Sequence, residues 1–252
     1  MQKDQNPVAT PLPGKSRTGN CDDTLTILST LGLTPGADAV VKLLNLAGDV
    51  RQAVVDHPSG YCVGVWGGKY PTHQEYADTA DMTYRLCRPG IHIMTGSGGG
   101  YMAAANEGAA RARQEGGGQS IGLSIKAING QPINPFVETE YAYNWIVPRI
   151  GHFGLMCSAY ILMPGGGVGF FAELFVAWQE EQFKQLCQPK LARPKPLVLV
   201  GNGKWTRLLD TLREDWSFRP DELGLISPVT STKEAAEIIL ADFDRFKLDV
   251  AG

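Results

Sequence analysis

Two glycine-rich turns, one glutamate and one arginine carry the chemistry this sequence can offer. Gly96-Ser-Gly-Gly-Gly100 follows a strand-like run and opens an alanine-rich helix, so its backbone N–H groups can face an anion while the helix dipole favours negative charge. Gly165-Gly-Gly-Val-Gly169 repeats that arrangement and adds Glu173 one helical turn further on. A carboxylate in the first turn of a helix stays ionised and can act as a base or as a stabiliser of positive charge. Arg149 follows Pro148 at a helix start, and the next strand delivers the Gly165–Gly169 turn, a connectivity that returns its guanidinium to the same crevice. A planar fork of donors suits phosphate or ribose oxygens. Each feature also has a plain reading: a tight turn, a capping glutamate, a solvated arginine.

Other chemistries find less support. His57, His73, His92 and His152 show no metal spacing; His92 reads as a core or strand-edge residue and the others as surface, with His152 three residues beyond Arg149. The five cysteines are odd in number and widely spaced, with no Cys-x-x-Cys pair, which argues against disulfides and a metal site. Gly201-Asn-Gly-Lys204 lacks the spacing and the final Ser or Thr of a phosphate-binding P-loop. Phe170-Phe171 and Trp145 read as core aromatics, although Phe170 stands where it can face a ligand. No metal or redox cofactor is expected.

The elements that must position these residues alternate. Tyr61-Cys-Val-Gly-Val-Trp66 reads as a strand ending in Gly67-Gly68, followed by a helix over 74–86; Ile91–Thr95 and Tyr101–Arg113 repeat the unit around the second glycine turn. Further strands are expected at Ser120–Ile125, Ala159–Met163, Leu197–Val200 and near Leu225, with helices from Pro148 to Met156, Phe170 to Leu186, Lys204 to Arg213 and Thr232 to Leu248. This alternation predicts an α/β, Rossmann-like, doubly wound and mostly parallel sheet with helices on both faces, and ligands in such sheets sit outside the carboxyl ends of the strands. Residues 1–21, rich in Pro, Gly, Thr and Asn, read as a flexible tail. Residues 22–252 read as one nucleotide-binding domain whose segment 22–57 is a helical extension.

Bulk composition narrows the partners. Hydrophobic residues at 43% and charged residues at 19% are ordinary globular values in a chain of 252 residues, while 30 glycines point to tight loops near a ligand. A formal charge of -3 argues against a general nucleic-acid binder, so any anion site is local. The absence of an apolar signal core or membrane-length run points to the cytoplasm and no membrane partner.

Taken together, CVGVWGGKYPTHQEYADTA, TGSGGGYMAAANEGA and PRIGHFGLMCSAYILMPGGGVGFFAE resemble the Lonely Guy-type phosphoribohydrolases, once labelled lysine decarboxylase-like, from about Tyr61 to Leu212. The match is most evident to the catalytic domain of nucleotide 5′-monophosphate nucleosidases. The resemblance implies hydrolysis of the N-glycosidic bond of a nucleoside monophosphate to free base and ribose 5-phosphate. It also implies catalytic roles for Arg149 and Glu173. Phosphate or nucleotide contacts are implied at Gly67, Gly68, Gly96, Gly98, Gly99, Gly100, Met102, Gly165, Gly166, Gly167, Gly169 and Phe170. A homodimer with the site near its interface is implied too, the apolar Phe170–Phe175 stretch offering contact surface.

Two departures stand out: one extra glycine within the third turn, and Phe170 where the family has threonine. The lost hydroxyl removes a hydrogen bond to phosphate. An alternative of a different class follows, a non-catalytic sensor or carrier of a nucleotide-like ligand such as a pterin-type cofactor. A Rossmann oxidoreductase is disfavoured because Met94-Thr95 stands where an acidic ribose-binding residue belongs.

Overall fold

A computed structural model describes residues 15–17, 58–126, 132–187 and 193–251. The strands are β1 (Lys15–Arg17), β2 (Cys62–Trp66), β3 (His92–Thr95), β4 (Ser120–Ile125), β5 (Thr139–Tyr143), β6 (Ala159–Leu162), β7 (Leu197–Val200) and β8 (Ile226–Val229). The helices are α1 (His73–Cys87), α2 (Tyr101–Gln114), α3 (Ile146–Met156), α4 (Val168–Cys187), α5 (Asn202–Asp215), α6 (Pro220–Leu223) and α7 (Thr232–Ala251). All strands pair in parallel, in the order β1-β5-β4-β3-β2-β6-β7-β8. The chain winds outward from β2 through β3 and β4, then returns to the other side of β2 at β6. The switch point therefore falls between β2 and β6, where an open α/β sheet leaves its crevice.

Period-two alternation divides the core into two layers. Val63, Val65, Ile93, Ile161 and Val198 face α1, α2 and α7 through Met82, Leu86, Ala105, Ala109, Ile239 and Phe243. Cys62, Trp66, Met94, Ile121, Leu123, Tyr160 and Leu162 face α3, α4 and α5 through Phe153, Leu174, Trp178, Trp205 and Leu209. Strands covered on both faces read as near-continuous apolar runs, as Leu197–Val200 does. The expected doubly wound sheet is the fold observed.

Local chemistry explains the boundaries. Thr72 caps α1 in a reciprocal box with Glu75, the Glu75 N–H donating to Thr72 Oγ1 at 3.2 Å and the Thr72 N–H to Glu75 Oε2 at 2.7 Å. Ser231 caps α7 by accepting the Glu234 N–H at 3.2 Å, while the Glu234 carboxylate accepts the Thr230 N–H at 3.1 Å. Four helices begin earlier than expected, α1 by one residue and α3, α4 and α5 by two. α3 starts at Ile146, because proline is tolerated in a first turn where its missing N–H has no partner to lose. α4 starts at Val168, which puts Gly169 inside the helix rather than in the turn.

His152 corrects the surface expectation: it is fully buried, and its Nδ1 pairs with the Tyr143 hydroxyl. Trp145, read as core, is instead about half exposed at 49%. The tail over 1–21, apart from Lys15–Arg17, and the helical extension over 22–57 lie outside the described residues. Among the described residues no helix is long and apolar enough to cross a membrane.

Candidate functional site

The three glycine turns meet above the carboxyl ends of β2, β3 and β6. A Cβ on Gly68 would lie 3.2 Å from the Gly165 carbonyl carbon and the Gly166 nitrogen, and one on Gly100 only 2.5 Å from the Gly68 oxygen. Backbone therefore approaches backbone as only glycine allows, and Gly100 takes the left-handed φ of 68°. Gly67 has a packing reason as well: its Cα faces Tyr101 and Met163, whose Cβ atoms would be 2.7 and 2.8 Å from an added side chain.

The second turn is held from outside itself. Ser97 adopts φ 66°, a left-handed conformation uncommon for a residue with a Cβ. Its N–H donates to Thr95 Oγ1 at 3.1 Å, and Thr95 Oγ1 donates to Asn106 Oδ1 at 2.5 Å. Asn134, reaching in from the β4–β5 connection, donates through Nδ2 to the Ser97 and Gly98 carbonyls at 3.1 and 3.0 Å and to Asn106 Oδ1 at 3.0 Å. Asn134 thus anchors the turn through its carbonyls, while the Tyr101 N–H at the start of α2 donates to the Gly68 oxygen at 3.2 Å.

Arg149 and Glu173 come together here. Arg149 NH2 is ion-paired with Glu173 Oε1; Glu173 is buried and the Arg149 side chain is 12% exposed. The guanidinium also packs on the second turn, 3.4 Å from where a Gly96 Cβ would stand, with the Met102 thioether on the other side at 3.1 Å. Arg149 descends from α3 and Glu173 from α4, the two helices that flank β6 in sequence. Burial raises the Glu173 carboxyl above its ordinary range, and the adjacent guanidinium pulls it back down. A buried ion pair contributes little to stability, because desolvating both charges offsets much of their attraction.

The third turn is open. Gly165, Gly166, Gly167 and Gly169 are exposed, and nothing stands within 4 Å of a Cβ on Gly167 or Gly169. Phe170 turns inward: it stacks on Trp205 at 5.9 Å between centroids, and its ring carbon would lie 2.4 Å from a Cβ on Gly166. A cleft of about 220 Å³ between this turn and α5 is lined by Phe170, Phe171, Trp205, Leu208 and Lys204. Glycine spacing found the turns. It did not find the hold of Asn134 on the second turn, because the hydrogen bonds that join Asn134 to Ser97, Gly98 and Asn106 span 28 to 37 residues.

The fold and site together define a Rossmann-like protein with glycine turns and a carboxylate–guanidinium pair at the switch point. Residues 102–239, more than half of the chain, match the family described as "Possible lysine decarboxylase", and the chain belongs to that family, the Lonely Guy-type group. The fold is similar to that of the molybdenum cofactor binding protein of the phototrophic bacterium Rippkaea orientalis, at TM-score 0.55 and 17% identity over 73% of this chain and 97% of that one. It is also similar to the molybdenum cofactor carrier protein of Chlamydomonas reinhardtii, at TM-score 0.54 and 18% identity over 73% and 98%. No curated protein matches the chain by sequence.

Proposed function

We propose that the chain is a nucleoside 5′-monophosphate N-glycosidase that releases a free base and ribose 5-phosphate. The observation that carries this reading is the Arg149–Glu173 pair, with Arg149 packed against Gly96 of the second glycine turn. The open third turn and the start of α4 receive the phosphate through backbone amides. That leaves the ribose beside Glu173, one helical turn further along α4. As the C1′–N bond breaks, positive charge develops on the sugar; the Glu173 carboxylate stabilises it and orients a water, whose oxygen bonds to C1′. The base leaves with the bonding electron pair and takes up a proton. Arg149 supplies the electrophilic face of the pair and favours the ionised form of a carboxylate that burial pushes toward protonation.

A second reading has its own observation. Phe170 offers no hydroxyl to phosphate, and its ring with Trp205 walls the cleft beside the third turn, as a non-catalytic carrier of a nucleotide-like or pterin-type cofactor would allow. The two relatives in fold are described as binding or carrying molybdenum cofactor. In either reading the partner is a small molecule, and the protein is a cytoplasmic homodimer that pairs through the exposed apolar faces of α3 and α4.

Purified protein is to be incubated with AMP, GMP, IMP, CMP and UMP and assayed for liberated base by chromatography. Turnover lost in Glu173→Ala supports the nucleosidase. Tight binding in calorimetry without turnover of any monophosphate favours the carrier and removes the enzyme.

A further inference from the structure

The sequence Gly201-Asn-Gly-Lys204, which fails as a P-loop, still brings its lysine to a ligand-sized space. Strand order places the third glycine turn, at the end of β6, between β2 and β7. Arg149 lies toward Gly96 at the end of β3, whereas Gly201 closes β7 on the opposite side, where a Cβ on it would stand 2.9 Å from Pro164 Cγ. The cleft of about 220 Å³ opens on this β7 side, between the turn and Lys204, Trp205 and Leu208 of α5, with Phe170 and Phe171 of α4 in its wall. Neither Arg149 nor Glu173 lines it.

The walls are set before any ligand arrives. Trp205 is buried, and its indole Nε1 donates to the Val200 carbonyl at 2.8 Å. Phe170 stacks on that indole at 5.9 Å and meets Phe171 edge-on at 5.4 Å. Gly166, at φ 139°, leaves the room the Phe170 ring needs. Aromatic walls already fixed in place add little ordering cost to binding. Apolar cavities of about 150 Å³ admit benzene, so this cleft has room for one ring or two fused rings. Its polar edge carries one sign: Lys204 is exposed there beside the exposed backbone of Gly165 and Gly166, and among the described residues no carboxylate lines it. Apolar walls with one or two placed polar groups are the make-up of a small-molecule site.

We propose that this cleft is a second ligand site and that it takes a flat aromatic anion: one ring or two fused rings held by Phe170, Phe171 and Leu208, with a phosphate or carboxylate paired with Lys204. An aliphatic chain would fill the same volume but forgo the ring-on-ring contact, and a cation would meet Lys204 with like charge. The site requires neither a nucleotide nor turnover at Glu173. A ligand seated there lies across the third turn from Arg149.

Calorimetry on the full chain with 1-naphthyl phosphate, inorganic phosphate and 1-naphthylmethylamine tests this. The aromatic phosphate should bind about tenfold or more tighter than either of the other two. Leu208→Trp, which fills the cleft, should bring its affinity down to that of inorganic phosphate and leave the latter unchanged. Lys204→Glu, at an exposed position of α5, should invert the preference so that the amine binds more tightly than the aromatic phosphate. Circular dichroism establishes that each variant is folded; if Leu208→Trp is not, the Lys204→Glu inversion decides alone. Equal affinity for the aromatic and inorganic phosphates, a folded Leu208→Trp that binds as the wild type does, or a Lys204→Glu protein that still prefers the phosphate overturns the proposal. Base released from monophosphates by a protein that does not bind 1-naphthyl phosphate overturns the cleft and leaves the nucleosidase reading standing. The expected binding pattern without turnover of any monophosphate upholds the cleft while the nucleosidase reading falls.

Discussion

Arg149 and Glu173 form a buried ion pair across the carboxyl end of β6, one contributed by the helix before that strand and the other by the helix after it. The pair sets the ionisation of the carboxylate. Burial lifts the Glu173 carboxyl above 4.5 and the guanidinium opposes that lift, so activity that needs the ionised form declines as pH falls through the raised value. In Arg149→Met the opposing charge is gone, and the acid limb of kcat/KM should move to higher pH while kcat drops about 10²- to 10³-fold. A pH–rate profile with an unmoved limb would refute the coupling.

Gly100 and Gly99 should separate under substitution to alanine. At Gly100 the left-handed φ and a Cβ 2.5 Å from the Gly68 oxygen predict a loss of about 1–3 kcal/mol in denaturant unfolding. Gly99 has nothing within 4 Å of its Cβ position, so its variant should unfold at nearly the wild-type midpoint. Equal midpoints for both variants would show that the turns do not pack as described.

His92 gives folding a pH dependence. Its Nδ1 accepts the Gln119 N–H at 3.0 Å and its Nε2 faces the Ser59 carbonyl at 3.1 Å, which fixes a neutral ring, and burial depresses its pKa below 6.5. The unfolded chain therefore binds the proton more readily. Stability should be complete above about 6.5 and decline as pH falls from there through the depressed value, because protonation sets two N–H groups against each other. Urea titrations at pH 7.5 and 5.5 should show this slope, and His92→Gln should flatten it.

Phe170→Thr should exchange stability for anion affinity. Removing a buried ring that stacks on Trp205 costs about 3 kcal/mol, while the new hydroxyl offers the third turn a hydrogen bond. A lower unfolding midpoint together with phosphate binding about tenfold tighter is the expected pair of results. Unchanged phosphate affinity would mean that Phe170 shapes the cleft without standing at the anion.

The dimer reading predicts a twofold mass in light scattering. Within Phe170–Phe175 the structure turns Phe170, Glu173 and Leu174 inward and leaves Phe171 and Phe175 outward, aligned on α4 with Val168, while Ile146, Val147 and Leu155 are exposed on α3. Phe175→Glu should yield a folded monomer. A monomeric wild-type protein would end the proposal.

The sheet was legible because strands covered on both faces are written as apolar runs between glycine turns, and Leu197–Val200 and Ser120–Ile125 were located to the residue. The helix over Ile146–Met156 was placed two residues late because Pro148 reads as a boundary, although a first turn tolerates it. Glycine spacing and Glu173 showed where the crevice lies. What holds it open was not legible: Asn134 reaches back 37 residues to Ser97, and no local pattern records a side-chain hook of that span. His152 was misread for a related reason, since its burial depends on Tyr143 from the preceding strand rather than on its own helix.

Asn134 and Asn106 keep the second turn in its left-handed bend before any ligand arrives. The conformational entropy of that loop has already been surrendered during folding, so an incoming anion meets a rigid receptor instead of ordering one. On the proposed reading an anion would need no closing motion at this edge of the sheet, and differences in its affinity should show in how long the complex survives.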